Sequence, residues 1–394
     1  MAFQTFESME RAPYLDGNLL RLSLEIAEFA KVAIAPRPVP DGDAAAREEA
    51  RILLKILGEG GWLRHVVPAQ FGGDAERLSL RALALIREAL AYASPLADAV
   101  YALQGLGSMP ISLSANRAMQ ERWLPEVAKG KAMAAFAMTE PEAGSDVAAL
   151  QTRATRVDGG YVLEGRKWFI SNAGIADFYC VFATVDRAAG RKGISCFLVP
   201  ADTPGLRFLG AQILSQPHPI GEIVLEECRV PTESLLGGEG NGFKLGMKSL
   251  DRLRPTVAAA ACGMAARALE SALAHARVRR QFGVPLAELP LVQEKLARMS
   301  IELEAAWLLT FRAAHAADRG AERFTLEAAQ AKLYATEAAQ RIVDDAVQIH
   351  GARGVLVDSV VDRLYRSVRS LRIYEGASEV QHLLIARELL RGPG

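Results

Sequence analysis

In this sequence of 394 residues, one acidic residue has neighbours that would suit a catalytic carboxylate. Glu375 lies between Tyr374 and Gly376 in the segment SLRIYEGASEV, near the end of a long apolar chain. A carboxylate that is held beside a substrate can act as a general base, whereas a solvated surface glutamate has no such function. The residue type and its position leave both interpretations open, so the other polar segments must be considered with it.

The segment FAMTEPEAGSDV combines two hydroxyl side chains with a glycine. Thr139, Gly144 and Ser145 could bind the polar edge of a planar cofactor, because Gly144 lets backbone N–H groups come close to a ligand. An ordinary loop with a Ser-Asp cap is the alternative interpretation of this segment.

The segment GRKWFISNAG predicts a strand that carries an aromatic and a hydroxyl side chain. Because side chains alternate along a strand, Phe169 and Ser171 are predicted on one face and Trp168 on the other. The pair could contact a ring system edge-on, with the Ser171 hydroxyl near a ring nitrogen. In the alternative interpretation, Phe169 is an ordinary core residue.

Two glycine-containing segments, RRQFG and QIHGARG, are predicted at helix ends. Arg279 in the first can complement a helix dipole or bind a phosphate oxygen. Gly351 in the second is predicted to cap its helix, and the backbone amides there could contact a pyrophosphate. The sequence has no G-x-G-x-x-G after a strand, no P-loop and no G-x-S-x-G motif, which argues against the usual nucleotide and nucleophile-elbow sites.

The composition of the chain argues against several classes of protein. Lys and Arg number 46 and Asp and Glu number 46, so no net charge attracts nucleic acid or an anionic membrane. The six histidines include no H-E-x-x-H motif, and we expect no metal site. Widely spaced cysteines without a C-x-x-C pair predict buried thiols in a reducing compartment: Cys180, Cys196, Cys228 and Cys262.

Two features of the sequence bear on localisation. The start of the chain has no basic stretch followed by an apolar core, as a signal peptide would have. The longest run of small apolar residues, 256–266, is far too short to span a bilayer. We therefore expect a soluble cytoplasmic protein with neither nucleic acid nor membrane as a partner.

Three segments of the chain differ in hydrophobic periodicity. Residues 1–132 are rich in Ala, Leu, Glu and Arg and are divided by turn signals, which predicts an N-terminal α-helical domain. Residues 133–240 contain short β-rich runs, which predicts a central β domain that is barrel-like or a small sandwich. Residues 241–394 are helical again and predict a C-terminal α-helical bundle. Because strands and helices do not alternate, the fold class is α+β and multidomain.

Two local patterns support these assignments. Asp158-Gly159-Gly160 separates two runs of alternating character, as a hairpin turn would. In the last segment, apolar residues recur three and four positions apart on one predicted helix face, at Ala335, Ala339, Ile342, Ala346 and Ile349.

Taken in order, several segments resemble the motifs of the acyl-CoA dehydrogenase family over residues 19–390: TEPEAGSDV, GRKWFISNAGIADFY, DRLRPTVAAAACGMAARALESALAHARVRRQFG, QIHGARG and RIYEGASEVQHLLIAREL. The resemblance implies an N-terminal all-α domain, a central β domain and a C-terminal four-helix bundle. It also implies FAD as cofactor and a homotetramer or homodimer. The implied enzyme desaturates an acyl-CoA at Cα–Cβ and passes electrons to an electron-transfer flavoprotein.

In that family resemblance, Glu375 matches the catalytic base that removes the α-proton while the β-hydride leaves for flavin N5. The resemblance also implies that the backbone N–H of Glu375 and a ribityl hydroxyl polarise the thioester carbonyl. Some relatives carry the base at the position of Leu253 instead. Leucine cannot accept a proton, which favours Glu375.

The resemblance assigns further residues by position. The residues matched to FAD are Phe136, Met138, Thr139, Gly144, Ser145, Phe169, Ser171, Arg279, Gln281, Phe282, Gln348, Gly351, Ala377 and Glu379. The residues matched to the acyl-CoA are Ser145, Asp251, Arg254, Tyr374, Gly376 and Arg387. Of the first set, Arg279, Gln281, Phe282, Gln348 and Gly351 match positions that usually reach the FAD of a neighbouring subunit, so the resemblance implies that the active site depends on oligomerisation.

Two positions depart from the family pattern, and one helix bears on the substrate. Phe169 stands where tryptophan is often found, and Ala377 stands where threonine often follows Glu-Gly. In the family the acyl tail lies against the helix that here includes ADAVYALQGLGSMP. Ala99, Ala102 and Leu103 offer small to medium side chains there, which permits a medium, branched or cyclic acyl group.

The same residues are also compatible with other functions. An acyl-CoA oxidase and a flavin monooxygenase are alternatives on this fold, although a monooxygenase would not need Glu375. A non-catalytic flavoprotein or a nucleic-acid-binding relative would predict a basic surplus, which this neutral chain lacks. A purely structural helical protein would bind no yellow cofactor.

Overall fold

The computed structural model describes residues 14–321 and 323–391. Helices precede and follow a block of strands, so the predicted α+β fold class is confirmed. The helices are α1 Gly17–Phe29, α2 Gly42–Glu59, α3 Leu80–Ala93, α4 Pro95–Leu113, α5 Arg117–Ala128, α6 Gly242–Val278, α7 Pro290–Asp318, α8 Thr325–His350, α9 Val360–Leu371 and α10 Ser378–Leu390. The strands are β1 Ala134–Ala137, β2 Arg153–Val157, β3 Gly160–Ser171, β4 Phe178–Thr184, β5 Ile194–Pro200, β6 Leu206–Ala211, β7 Ile220–Pro231, β8 Leu235–Leu236, β9 Arg280–Gln281 and β10 Val284–Pro285.

Three of the N-terminal helices begin at residues whose side chains cap them. Asp16 accepts backbone N–H bonds at the start of α1, Ser79 does so for α3, and Asn116 does so for α5. These side chains bond N–H groups that have no partner within the first turn of a helix.

The main sheet has the strand order β6-β7-β3-β2-β4-β5-β8, and β1 pairs in parallel with β4. The turn between β2 and β3 is Asp158-Gly159, with Val157 opposite Gly160. Gly159 has a φ of +79°, which glycine adopts without strain. The predicted hairpin is therefore confirmed.

The chain divides into two compact units. The helical unit contains the described residues of Met1–Arg37, Ser79–Asp98 and Arg254–Gly394. Residues 257–262 of α6 are all buried in it. The predicted apolar face of α8 is also buried, as expected: Ala335, Ala339, Ile342, Ala346 and Ile349.

Glycine lets two helices of the helical unit come close together. A Cβ added to Gly263 of α6 would lie 2.1 Å from the carbonyl oxygen of Glu88 in α3. No side chain fits at that distance. The small residues of α6 therefore bring its backbone against that of α3.

The sheet unit contains Pro38–Leu78 and Ala99–Leu253, and the main sheet lies within it. Aromatic side chains from β4 and β5 fill its interior, with Phe178, Phe182 and Phe197 fully buried. All four cysteines of the chain are buried thiols, Cys262 in the helical unit and the rest in the sheet unit. The prediction of buried thiols is confirmed.

Among the described helices, α6 is long and apolar enough to cross a membrane, and it contains the run 256–266. Of its most apolar 18-residue window, 72% is buried inside the protein. The core helix of a soluble protein has the same length and composition, so this helix is weak evidence for a membrane span.

We predict that Gly263→Ala lowers the free energy of unfolding by about 1–3 kcal/mol, because the new methyl group would press on the Glu88 carbonyl. Gly17→Ala is the matched control, since Gly17 is also helical and an added Cβ there meets nothing within 4 Å. Urea denaturation of both variants measures the difference. Equal stability of the two variants would contradict the close approach of α3 and α6.

Candidate active site

Glu375 lies in the short segment between α9 and α10, in the helical unit. Its φ is +52° and that of Gly376 is +96°, so two successive residues have left-handed backbone. Glutamate rarely adopts this conformation, and such strain is concentrated at functional sites. The segment is therefore held in place by its surroundings.

A carboxylate on α8 joins the two ends of this segment. Glu337 accepts hydrogen bonds from Arg372 Nε at 2.8 Å and from Ser378 Oγ at 2.6 Å. Burial tends to raise the pKa of Glu337, but these donors outweigh burial and hold that pKa below its ordinary value. An ionised Glu337 thus fixes the span that contains Glu375.

The carbonyl of Gly376 is held by two side chains. Lys332 Nζ of α8 donates to it at 2.8 Å, and Gln381 Nε2 of α10 donates at 2.9 Å. A Cβ on Gly376 would lie 2.3 Å from Gln381 Nε2, so both its φ and its surroundings favour glycine. The peptide between Gly376 and Ala377, one residue after Glu375, is thereby fixed.

The Glu375 carboxylate is placed among charged groups of four helices. Burial raises its pKa, the positive charges of Arg87, Arg254 and Lys332 oppose this, and Asp98 adds to it. Its Oε2 atom is buried and has no hydrogen-bond partner among the described residues. A carboxylate with a raised pKa and an unbonded oxygen can accept a proton from a ligand.

The charged surroundings of Glu375 include a buried ion pair that the sequence did not predict. Arg87 of α3 bonds both carboxylate oxygens of Asp98 in α4, at 2.7 and 2.9 Å, and also Thr256 Oγ1 of α6 at 3.0 Å. Arg87 and Asp98 are 11 positions apart in apolar helices. That spacing matches no single-helix pattern, so the sequence carries no signal for the pair.

The residues that the family resemblance assigns to the substrate lie in different parts of the structure. Arg254 is buried near Gly376, and Tyr374 is 39% exposed while its hydroxyl lies near Arg87. Asp251 is half-buried on α6 and Ser145 is exposed in the loop after β1. Arg387 is exposed on α10. The structure thus brings Tyr374, Gly376 and Arg254 next to Glu375.

In the sheet unit, a buried ion pair shapes the loop that follows β1. Glu140 accepts hydrogen bonds from Lys167 Nζ at 2.7 Å and from the N–H of Thr152 at 2.9 Å, and Lys167 also donates to the carbonyl of Met138 at 3.3 Å. Burial tends to raise the pKa of Glu140, but the charge of Lys167 and the hydrogen bonds from Lys167, Thr152 and Gln151 together outweigh burial and keep that pKa lowered. The sequence analysis missed both Glu140 and Lys167. The sequence offered one signal for this ion pair, which is that Glu140 is an acidic residue inside the TEPEAGSDV motif.

The other residues near the Glu140–Lys167 pair differ in their exposure to solvent. Met138 is buried, Phe136 and Thr139 are half-buried, and Gly144 and Ser145 are exposed. The predicted flavin-edge residues are therefore held on an ordered loop with its polar tip toward solvent.

The predicted alternation around Phe169 is wrong. Phe169 has a φ of +53°, and the pairing of β3 with β7 is irregular between Lys167 and Ile170. The rings of Trp168 and Phe169 consequently stack, with centroids 5.3 Å apart and planes 13° apart, and do not point to opposite faces. A left-handed residue breaks the period of two on which the prediction depended.

Phe169 and Ser171 are both held by side chains of the segment before β7. The N–H of Phe169 donates to Gln212 Oε1 at 2.8 Å, and Ser171 Oγ lies 2.8 Å from His218 Nε2. Burial and the charge of Arg47, opposed by Asp43, lower the pKa of His218 to about 4, so the imidazole is neutral near pH 7. The segment before β7 thus holds the Ser171 hydroxyl through the His218 imidazole.

These features fit the planar ring of a flavin. The Phe169 ring is 52% exposed, which is unusual for an aromatic residue in a strand. Gln212 Nε2 and Gln216 Oε1 are buried without a hydrogen-bond partner among the described residues, so polar groups remain for a ligand. The exposed Phe169 side chain, with the Gln212 side chain bonded to its backbone N–H, offers such a ring an aromatic face and a polar group.

The other residues matched to FAD lie in the helical unit. Arg279, Gln281 and Phe282 follow α6, and Phe282 is 91% exposed. Gln348 and Gly351 are exposed at the end of α8, where Gly351 is the C-cap as predicted. Ala377 and Glu379 are at the start of α10.

The ends of α6 and α8 are close together in the structure. The rings of His275 and His350 stack at 4.4 Å, and Ser271 Oγ lies 3.2 Å from His350 Nε2. Positive charge from Arg353 and Arg279 also lies near His275. The structure thus groups the two segments that the sequence analysis linked to a phosphate.

Two further observations concern ligands. Ala99, Ala102 and Leu103 are all half-buried on α4, whereas Val100 and Tyr101 are buried, so the three share an accessible face. Over residues 14–321 and 323–391, no cluster of His, Cys, Asp or Glu could hold a metal ion.

Comparisons with known proteins agree along most of the chain. Family models for acyl-CoA dehydrogenase match residues 20–131 (N-terminal domain), 135–228 (middle domain) and 240–390 (C-terminal domain). Cyclohexane-1-carbonyl-CoA dehydrogenase of Geobacter metallireducens is 36% identical over 368 residues, which cover 93% of this chain and 96% of that protein.

Solved structures give the same result. Butyryl-CoA dehydrogenase of Megasphaera elsdenii has a TM-score of 0.88 and 32% identity, covering 96% of this chain and 99% of that chain. A structure described as PigA with FAD and proline has a TM-score of 0.85 and 29% identity, covering 96% and 99%.

We predict that Lys167→Met lowers the free energy of unfolding by about 3–5 kcal/mol, because it leaves Glu140 buried without its counter-charge. The double variant Glu140→Gln/Lys167→Met should regain part of that loss, since no buried charge then remains unpaired. Guanidinium denaturation of the two variants measures both effects. If the double variant is the less stable of the two, the ion pair is not what holds this loop.

Proposed function

The chain belongs to the acyl-CoA dehydrogenase family, and from this we propose that it removes hydrogen from the Cα–Cβ bond of an acyl-CoA thioester. The proposed enzyme is an oxidoreductase that acts on CH–CH groups and uses FAD. The observation that carries this proposal is the geometry of Glu375, whose buried Oε2 has no hydrogen-bond partner in the described residues.

The proposed chemistry at Glu375 is proton removal from the substrate α-carbon. The thioester acidifies the Cα–H bond, that bond breaks, and an O–H bond forms on the carboxylate. Burial raises the pKa of Glu375, so the carboxylate is a stronger base than a solvated glutamate. Bound FAD supplies the acceptor for the hydride that leaves the β-carbon, and the product is the 2-enoyl thioester.

The backbone beside Glu375 has a second proposed role. We assign to the N–H of Glu375 the polarisation of the thioester carbonyl, which stabilises the negative charge that develops on its oxygen. Gly376 leaves room for the thioester, and the carbonyl of Gly376 is already bonded to Lys332 and Gln381. The segment is thus held before a substrate arrives.

Two groups of residues are proposed to hold FAD. Phe136, Met138, Thr139, Gly144, Ser145, Phe169 and Ser171 would contact the flavin and its edge. The exposed set at the ends of α6 and α8 would reach the FAD of a neighbouring copy: Arg279, Gln281, Phe282, Gln348 and Gly351. The 91% exposure of Phe282 supports this assignment, because its side chain is accessible to a neighbouring copy.

The remaining parts of the proposal rest on the family. A homotetramer, an electron-transfer flavoprotein as acceptor, a cytoplasmic location and a role in fatty acid metabolism all remain predictions. The accessible Ala99, Ala102 and Leu103 leave space for a cyclic or branched acyl group. The similarity to a protein named for a cyclohexane-carbonyl thioester supports testing alicyclic substrates first.

An acyl-CoA oxidase is the second candidate. It shares the proton removal at Glu375 and differs in passing electrons to oxygen, so the geometry of this site suits both. A flavin monooxygenase is less well supported, because it would leave Glu375 and its raised pKa without a task.

We predict that an acyl-CoA of one class bleaches the flavin of the purified protein under anaerobic conditions, and that Glu375→Gln slows this by at least about 100-fold. A panel of short, medium, branched and alicyclic acyl-CoAs identifies the class. Glu59→Gln is the control, since Glu59 is exposed at the end of α2. Bleaching that persists in Glu375→Gln would contradict the role of this carboxylate, and admitting oxygen afterwards separates oxidase from dehydrogenase.

We also predict how the reaction depends on pH. Only the ionised carboxylate can accept the α-proton, so the rate should fall by about tenfold for each pH unit below the pKa of Glu375. Because burial raises that pKa, the fall should begin above the ordinary glutamate value of 4.5. Rapid-mixing measurements of flavin bleaching across the pH range give the midpoint. A midpoint at or below the ordinary value would contradict the burial of the charge.

A further inference from the structure

Lys332 is a fully buried lysine in the middle of α8. The buried residues near it on that helix include Ala328, Ala329 and Ala331. Taking an ammonium group out of water costs free energy, and an apolar side chain of similar length would avoid that cost. The reason for a lysine must therefore lie in what its Nζ atom contacts.

The Lys332 ammonium contacts the carbonyl of Gly376, which does not need it as a donor. Gln381 Nε2, also fully buried, already donates to that carbonyl at 2.9 Å, and Lys332 Nζ donates at 2.8 Å. One donor is enough to satisfy a buried carbonyl. What Lys332 adds is a second restraint on the Gly376–Ala377 peptide, one residue after Glu375, together with a positive charge.

The charge of Lys332 faces several ionisable groups. Glu375, Glu337 and Glu379 attract it, and Arg254 on α6 repels it. Glu337 is bonded by Arg372 and Ser378, so it is already compensated. In Glu375, by contrast, the Oε2 atom has no hydrogen-bond partner in the part of the chain that the structure describes.

The groups that face Glu375 come from four helices. They are Arg87 on α3, Asp98 on α4, Arg254 on α6 and Lys332 on α8, and Tyr374 lies beside them with its pKa raised by burial. Arg87 is occupied by the Asp98 carboxylate. Burial lowers the pKa of Lys332 to about 8, with Glu375 opposing that shift. The charge of Lys332 therefore changes near neutrality.

Building on the proposed function, we propose that Lys332 is a positioning residue for Glu375: it fixes the backbone through the Gly376 carbonyl, and its charge keeps the Glu375 carboxylate ionised. A positive charge nearby favours the ionised form of a carboxylic acid. Replacing Lys332 by a neutral residue therefore raises the pKa of Glu375. The fall in rate at acid pH then begins at a higher pH than in the wild type.

Lys332→Met and Gln381→Leu separate the charge from the restraint. Each variant removes one donor to the same Gly376 carbonyl, but only the first removes a charge. Lys332→Met should raise the midpoint of the acid limb by about one pH unit. Gln381→Leu should lower the limiting rate by about tenfold through looser positioning and leave that midpoint in place.

A third variant, Lys332→Gln, tests the same proposal if Lys332→Met does not fold. Lys332→Gln keeps a hydrogen-bond donor and lacks the charge, so it should shift the midpoint as Lys332→Met does. A purely structural role would lower the melting temperature in these variants without moving the midpoint of the acid limb. The melting temperature of every variant is therefore measured beside its pH profile.

The ionisation of Glu375 is also measured without any substrate. Infrared difference spectra of the flavin-loaded protein follow the protonated carboxyl band, which is assigned by its absence in Glu375→Gln. We expect the band to titrate at higher pH in Lys332→Met and Lys332→Gln than in the wild type and in Gln381→Leu. Equal midpoints in all four proteins, or equal shifts in Gln381→Leu and Lys332→Met, would overturn the proposal. If no acyl-CoA bleaches the wild-type flavin, the proposed function fails, and the infrared titration still decides the role of Lys332.

Discussion

The withdrawal of the Glu375 carboxylate from water is the constraint on which the rest of the candidate site depends. Burial raises its pKa even though Arg87, Arg254 and Lys332 all attract its negative charge. Without those cations an ionised carboxylate could not be kept in the interior, and with full hydrogen bonding it would be a weak base. The site lies between these two extremes. Positive charges are near the Glu375 carboxylate, and its Oε2 atom has no hydrogen-bond partner among the described residues. The arrangement of α3, α4, α6 and α8 around this residue follows from that requirement.

Each compact unit contains a buried lysine that holds an irregular backbone segment. Lys167 bonds the Met138 carbonyl and Glu140 in the sheet unit, and Lys332 bonds the Gly376 carbonyl in the helical unit. In both cases a loop that carries candidate functional residues is fixed by a donor from a regular element. A long side chain with a charged end can reach a backbone carbonyl that a short polar residue could not, and the surrounding apolar residues pack against its methylene groups. Rigid elements thereby set the positions of loops that lack regular hydrogen bonding of their own.

The sequence predicted features that depend on local patterns. Periodicity located the helical and β-rich segments, the Asp158-Gly159 turn and the buried face of α8, because each of these is set by residues a few positions apart. Glu375 was found by its neighbours and by family resemblance. Contacts between distant residues could not be predicted: Arg87 with Asp98, Glu140 with Lys167, and Lys332 with Gly376 join elements whose relative placement only the folded chain determines. Phe169 shows a second limit, since one left-handed residue reversed an expected alternation.

The left-handed backbone of Glu375 has a consequence for how this protein responds to selection in the laboratory. Glycine adopts a φ near +52° without strain and carries no charge to bury, so Glu375→Gly relieves two unfavourable features with one substitution. A library screened for heat resistance alone will therefore enrich variants that have lost the carboxylate. Directed evolution of this protein therefore needs an activity assay in every round. At position 375, glycine favours thermal stability and glutamate favours activity.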